Sequence, residues 1–195
     1  MPIVPVIDTL LSVFTLITNI FLIFILIFFI VKKITKKNIS FVEKIWSFVK
    51  KYAMFFAFLF ALIATSGSLF YSEIAHYTPC KLCWIQRIFM YPLTLIMGIA
   101  WWKKDKKVGR YVIPMSVIGG IISIYHYGVQ RVNFHSTCSA DSVVPCSIKY
   151  TFEFGYITIP IMALTAFIWI IILTYTLKKK LEEKNIETEH RDNEN

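Results

Sequence analysis

Residues 52–71 read YAMFFAFLFALIATSGSLFY, a stretch without a formal charge that follows directly on Lys50 and Lys51. A helix rises about 1.5 Å per residue, so roughly 20 residues cross a hydrocarbon core about 30 Å thick, and lipid leaves a continuous apolar segment no other way to satisfy its backbone. Working outward, uncharged runs recur at 9–31, 88–102, 111–130 and 154–177. All but 88–102 are long enough to span. That run reaches the length only by starting near Cys83, which places Gln86 and Arg87 about one turn inside its end, where a long basic side chain snorkels. The pattern predicts an all-α integral membrane protein with five spans.

Composition agrees. Of 195 residues 56% are apolar and 17% charged, with a mean hydropathy of +0.61, whereas an ordinary soluble domain carries about 25% charged residues. A soluble cytosolic enzyme is excluded. Seventeen Phe argue against disorder, and four Cys are too few for a disulfide-stapled secreted scaffold. The net charge of +9 matters through its placement. Lys32, Lys33, Lys36, Lys37, Lys44, Lys50 and Lys51 fill the first connection, Lys103, Lys104, Lys106, Lys107 and Arg110 the third, and Lys178, Lys179, Lys180, Lys184 and Arg191 follow the last span. Basic residues parcelled between spans give no reason to expect a nucleic-acid partner; the positive-inside rule turns them into an outside N-terminus, a cytoplasmic C-terminus, and four cysteines on the outer side. The first run lacks a preceding basic residue and a small-residue cleavage site, and is far longer than a signal h-region, so it is read as a retained span. The tail from residue 178 is too polar to build a core, and disorder is expected there after a short helical stub.

Small residues four apart inside the spans, Ala57 with Ala61, Ala64 with Ser68, Ser116 with Gly120 and Gly119 with Ser123, allow close backbone approach in lipid and predict a compact bundle. Chemistry enters with the thiols. Cys80 and Cys83 form a C-x-x-C immediately before a bundle helix. At a helix N-terminus the free N–H groups and the dipole favour a thiolate. Arg87, four residues after Cys83, adds a full positive charge on the same face, which makes Cys83 the expected stabilised thiolate. Cys138 and Cys146 lie in the outer connection 131–153, and two thiols in an oxidising compartment normally pair. One mobile pair and one pair at the lipid boundary describe a relay for electrons. Two other readings stand beside it: structural disulfides, although a C-x-x-C bridge closes almost no loop, and a Cys₄ zinc site, for which the second pair lacks the usual close spacing.

The segments 67–74 (GSLFYSEI), 79–87 (PCKLCWIQR), 125–130 (YHYGVQ) and 144–146 (VPC) resemble the DsbB family of membrane disulfide-bond formation proteins, most closely its BdbC branch. The resemblance covers about 52–177. It implies a four-helix transmembrane bundle in a bacterial cell membrane that reoxidises a secreted thioredoxin-fold dithiol oxidase and passes electrons to a membrane quinone, ubiquinone or menaquinone, as the DsbA–DsbB–quinone chain does in keeping the bacterial periplasm oxidising. Carried over by position, Cys138 and Cys146 take electrons from the partner. Cys80 and Cys83 reoxidise that pair, with Cys83 next to the quinone and Arg87 stabilising the charge that develops there. His126 and Gln130, one turn apart, are the further candidates for the quinone pocket. The chain then divides into an additional N-terminal transmembrane helix with a basic cytoplasmic link (1–51), the bundle (52–177) and a polar cytoplasmic tail (178–195). The additional helix is outside the four-helix pattern and reads as a passive anchor ahead of a partner-docking element. The competing assignments are a vitamin K epoxide reductase-like quinone oxidoreductase, in which the C-x-x-C follows the loop pair instead of preceding it, and a non-catalytic membrane scaffold or metal-binding protein.

Overall fold

The structure is a computed structural model that describes residues 3–35, 40–132, 138 and 144–193. Six α-helices account for most of them: α1 Ile3–Thr35, α2 Ser40–Lys51, α3 Ala53–Leu69, α4 Lys81–Lys103, α5 Gly109–Val132 and α6 Ile159–Asn193. Five stretches are long and apolar enough to cross a membrane: Ile3–Phe28, Ala53–Ile74, Lys81–Lys103, Lys106–Val132 and Ile159–Leu177. The predicted five-span all-α protein is therefore what folds. Helices α3, α4, α5 and α6 close into a ring, α3 against α4, α4 against α5, α5 against α6 and α6 back against α3.

Small residues set the helix spacing, as their periodicity predicts. Ala53, Ala57 and Ala61 of α3 are fully buried, and Ser116, Gly119, Gly120 and Ser123 are buried on α5. Gly119 carries the closest approach: a Cβ there would strike the Phe167 ring of α6, so a side chain fits only if that ring moves. Polar ties reinforce the α3–α4 contact, Thr65 with Thr94 at 2.7 Å and Thr94 Oγ1 donating to Ala61 O at 3.0 Å. Interhelical bonds of this kind fix register where apolar packing alone would let helices slide. At the end opposite the C-x-x-C, α4 turns into α5 through left-handed Lys104 (φ 53°), and Asp105 Oδ1 accepts from Lys107 N at 2.8 Å.

Three expectations change and one holds. The third span starts at Lys81, so the short apolar run does reach back past Cys83, as its length required. The fifth starts at Ile159 rather than 154: Phe154 and Gly155 both have positive φ (51° and 76°), and the turn they make pairs Glu153 with Ile157 and cannot continue a helix. The basic link contains the helix α2, where Ile45, Phe48 and Val49 recur at helical spacing among Lys44, Lys50 and Lys51. The tail, expected to be disordered, continues α6 to Asn193; Lys178 and Glu182, Lys179 and Glu183, and Glu187 and Arg191 are opposite charges four apart, the spacing that supports a helix without a core.

α1 lies against the outside of the ring, on α3 and α6. Phe14 meets Phe60 at 5.9 Å between ring centroids, and Phe21 stacks on Trp169 at 5.8 Å.

Candidate redox site

Both cysteine pairs lie at one end of the bundle. α3 ends in a π-helical turn, Phe70–Ile74, and the chain then runs through His76 at φ 55° and Pro79 into α4. Cys80 is the N-cap of α4, its sulfur accepting from Cys83 N at 3.4 Å. Cys83 sits one turn in, with Sγ 3.0 Å from Cys80 Sγ, and both thiols are free. Across from them His126 of α5, 1% exposed, brings Nε2 to 3.6 Å from Cys80 Sγ. Cys138 and Cys146 are joined by a disulfide with Cα atoms 6.0 Å apart. Cys146 is buried and Cys138 half-buried. Residues 133–137 and 139–143 of this predicted loop lie outside the described residues. The connection is tied down beyond the disulfide by Tyr150 Oη donating to Thr78 O at 3.0 Å and by Arg131 Nη2 donating to Gly155 O at 2.8 Å. Cys80, Leu82, Val129 and Cys146 form one buried cluster with Cys83 and Cys138 packed against it. All four sulfurs thus belong to a single packed unit.

The free pair separates two cavities. The larger, about 110 Å³, lies among α1, α3, α4 and α6 and is bordered by Cys83, Gln86, Arg87, Met90, Tyr71 and Tyr77. A single water needs about 10–15 Å³ by this measure, so the space suits a ring-sized group. Two nitrogen-bearing side chains of α4 border its mostly apolar lining. Arg87 Nη2 donates to Ser68 O at 3.0 Å, and its guanidinium lies over the Trp84 ring at 5.2 Å. Gln86 is 5% exposed and its Nε2 has no partner. The smaller cavity, about 20 Å³, is bordered by Cys80, Cys83, His126, Gln130 and Pro145. Gln130 Nε2 donates to Ile148 O at 3.0 Å, and Oε1 is buried without a partner.

The predicted residues therefore divide. Cys83 and Arg87 share the larger chamber, whereas His126 and Gln130 line the smaller cavity beside Cys80 and the outer connection. The cap donor falls on the Cys80 sulfur, so the stabilised thiolate is Cys80 and not Cys83 as the spacing to Arg87 predicted. The hydrogen bond from the Cys83 thiol is the largest influence, outweighing the burial that opposes charge; with His126 and the Cys83 N–H it holds the Cys80 thiol down at about 4. The sulfur and nitrogen atoms of Cys80, Cys83 and His126 lie within 4.8 Å of one another, a donor set able to hold a soft metal ion when the pair is reduced. Gln86 was missed from sequence; its position three residues after Cys83 was the available signal, masked by its place beside Arg87, where an amide reads as part of a polar helix end.

A transmembrane helical bundle that holds a close dithiol beside an apolar chamber, with a second, disulfide-bonded pair packed on it, is a membrane thiol–disulfide oxidoreductase. Comparison with known proteins places it more narrowly. The family described as "Disulfide bond formation protein DsbB" matches residues 50–177. Disulfide bond formation protein C of Bacillus subtilis (strain 168) is 50% identical over 131 residues, 67% of this chain and 95% of the relative. A probable disulfide formation protein of Oceanobacillus iheyensis is 44% identical over 146 residues, 73% and 91% of the two chains. One of Coxiella burnetii (strain CbuK_Q154) is 38% identical over 143 residues, 70% and 97%. No solved structure matches significantly. The chain belongs to the DsbB family of disulfide bond formation proteins.

Proposed function

We propose that the protein reoxidises a secreted thioredoxin-fold dithiol oxidase and delivers the electrons to a membrane quinone held in the larger chamber. The observation that carries this reading is the chamber itself. A mostly apolar, ring-sized space in a membrane protein, bordered by a redox cysteine, by Gln86 and by the Arg87 guanidinium, fits a flat apolar body with carbonyl acceptors. A quinone held there by Cys83, Gln86 and Arg87 would supply an acceptor for two electrons and two protons.

The protein's own residues account for the rest. Cys138 is the less buried sulfur of the outer disulfide, so a partner thiolate attacks it and Cys146 leaves as the thiolate; the partner's second thiol then resolves the mixed disulfide, and the partner departs oxidised. The outer pair, now reduced, attacks the Cys80–Cys83 disulfide at Cys80, with Cys83 as the leaving sulfur. A second attack within the outer pair re-forms Cys138–Cys146 and leaves Cys80 and Cys83 reduced, the distribution of thiols and disulfide seen in this structure. His126 and Gln130 serve this exchange side: His126, within reach of the Cys80 sulfur, moves the proton there, and Gln130 fixes the connection through Ile148 O. Arg87 stabilises negative charge at Cys83 and at the ring oxygens with a guanidinium that never deprotonates. The cysteines face the outer side of a bacterial cell membrane and the C-terminus the cytoplasm, from the distribution of Lys and Arg.

The test uses the full chain purified in mild detergent, a reduced thioredoxin-fold oxidase and a short-chain benzoquinone. Cys83→Ser should abolish quinone reduction, and Cys146→Ser should trap Cys138 in a mixed disulfide with the partner or with Cys80. Normal partner reoxidation by Cys146→Ser, or quinone reduction by Cys83→Ser, overturns the route.

A further inference from the structure

A span whose sole task is to hold a chain in lipid needs no polar residues, because each one is costly there. α1 carries a stripe of them. Asp8, Ser12, Thr15 and Asn19 are four, three and four apart, one face of a helix. That face meets the bundle: Ser12 and Thr15 are 0% and 5% exposed, Asp8 Oδ1 accepts from Tyr71 Oη at 2.8 Å, and Asn19 Oδ1 accepts from Thr165 Oγ1 at 3.0 Å. Leu10, Ile17 and Phe24 point the other way, 63%, 59% and 53% exposed. Contact is close where the faces meet, since a Cβ on Gly67 of α3 would lie 3.2 Å from Leu11 Cδ1. Yet the family match begins at residue 50, so none of this helix belongs to the shared pattern.

Leu11, Phe14, Thr15 and Thr18 border the same chamber as Cys83 and Arg87. Asp8 acts at a distance as well. Its partner Tyr71 stacks on Tyr77 with centroids 5.8 Å apart, Tyr77 stacks on Tyr150 at 4.6 Å, and all three rings border the chamber. The hydroxyl protons of Thr15 and Thr18 are committed to carbonyls of their own helix, Leu11 O at 2.8 Å and Phe14 O at 3.0 Å. α1 therefore offers the chamber shape and a barrier to lipid, while the charged donor, Arg87, comes from α4.

We propose that α1 is a wall of the quinone chamber and a determinant of quinone affinity: Leu11, Phe14, Thr15 and Thr18 close its side, and Asp8 fixes the aromatic stack that borders it. This rests on the quinone reading above. Because α1 supplies fit and no reacting group, changes in it alter affinity and leave the chemistry alone. The experiment is equilibrium titration of the oxidised full chain with decyl-benzoquinone, followed by quenching of tryptophan fluorescence so that no turnover contributes. Thr15→Phe, which fills the chamber, should weaken binding by about tenfold or more, since a packed site tolerates added volume poorly. Phe14→Ala should weaken it too, the KM for quinone should rise in step, and kcat and partner-driven exchange between the cysteine pairs should stay within about twofold. Ile17→Phe, on the lipid side, should bind like the unaltered chain. Unaltered affinity in both Thr15→Phe and Phe14→Ala, with binding lost in Arg87→Ala, overturns this inference alone. Absence of quinone binding by the unaltered chain overturns it together with the reading beneath it.

Discussion

Replacing Arg87 with Ala removes one specific set of contacts. The guanidinium donates to Ser68 O at 3.0 Å and lies 5.2 Å from the Trp84 ring, while bordering the chamber beside Cys83. A cation–π contact at a partly exposed site is worth about 0.5–1 kcal/mol, so its loss lowers thermal stability modestly. A hydrogen bond to a charged group is worth about 1.5–3 kcal/mol, and that is the size of interaction expected between Arg87 and charge developing at Cys83 or at a ring oxygen. With tenfold in rate for each 1.36 kcal/mol, kcat/KM for quinone should fall by about 10- to 150-fold. Arg87→Lys keeps the charge without the planar fork and should fall between. The assay is quinone reduction followed by absorbance in purified variants, paired with the rate at which a reduced thioredoxin-fold partner reduces the Cys138–Cys146 disulfide, a step that involves neither Cys83 nor the chamber. Unchanged quinone kinetics in Arg87→Ala, or a parallel loss of both rates that tracks the melting temperature, would refute the reasoning and reduce Arg87 to a helix-end anchor.

Gln86→Leu should bind quinone more weakly by about 3- to 10-fold, the worth of one neutral hydrogen bond, while melting no lower than the unaltered chain, because the buried Nε2 it removes has no partner; lower stability with unchanged binding would make Gln86 structural. A thiol held down at about 4 is thiolate at every pH above that, so alkylation of Cys80 in the reduced protein should be flat from about pH 8 to 6 and fall only toward the low pKa. His126→Ala removes one of the hydrogen bonds, raises that pKa and should steepen the pH dependence. Gly119→Ala should destabilise the bundle by about 1–3 kcal/mol in thermal melts because its Cβ would strike Phe167, and Phe167→Leu in the same chain should recover part of the loss. In reduced intact cells an impermeant thiol reagent should label Cys138 and Cys146, whereas labelling only after permeabilisation would reverse the orientation.

Sequence reading reached the spans because lipid admits one solution for a long uncharged segment, and the cysteine end because the C-x-x-C and Arg87 are related by a single turn. It failed where the deciding quantity was rotation of a helix about its axis. His126 and Gln130 do share a face of α5, but only packing shows that this face meets Cys80 and the outer connection instead of the chamber. Gln86 required the knowledge that its Nε2 is buried and unpartnered. The polar stripe of α1 was open to inspection, yet a run dominated by Phe, Ile and Leu reads as an anchor until Asp8 and Asn19 acquire partners 63 and 146 residues away. α2 was hidden by lysine density, and the helical tail by the rule that charge-rich segments stay unfolded.

Cys83, Tyr150 and Ile159 border both cavities, so the wall between them contains a sulfur. On the proposed route that wall acts as a valve. A small thiol arriving from the side of the outer connection meets Cys80 and the loop disulfide, and a lipid-dissolved oxidant meets Cys83; traffic between them passes through a change of bonding partner in the C-x-x-C and never through open space.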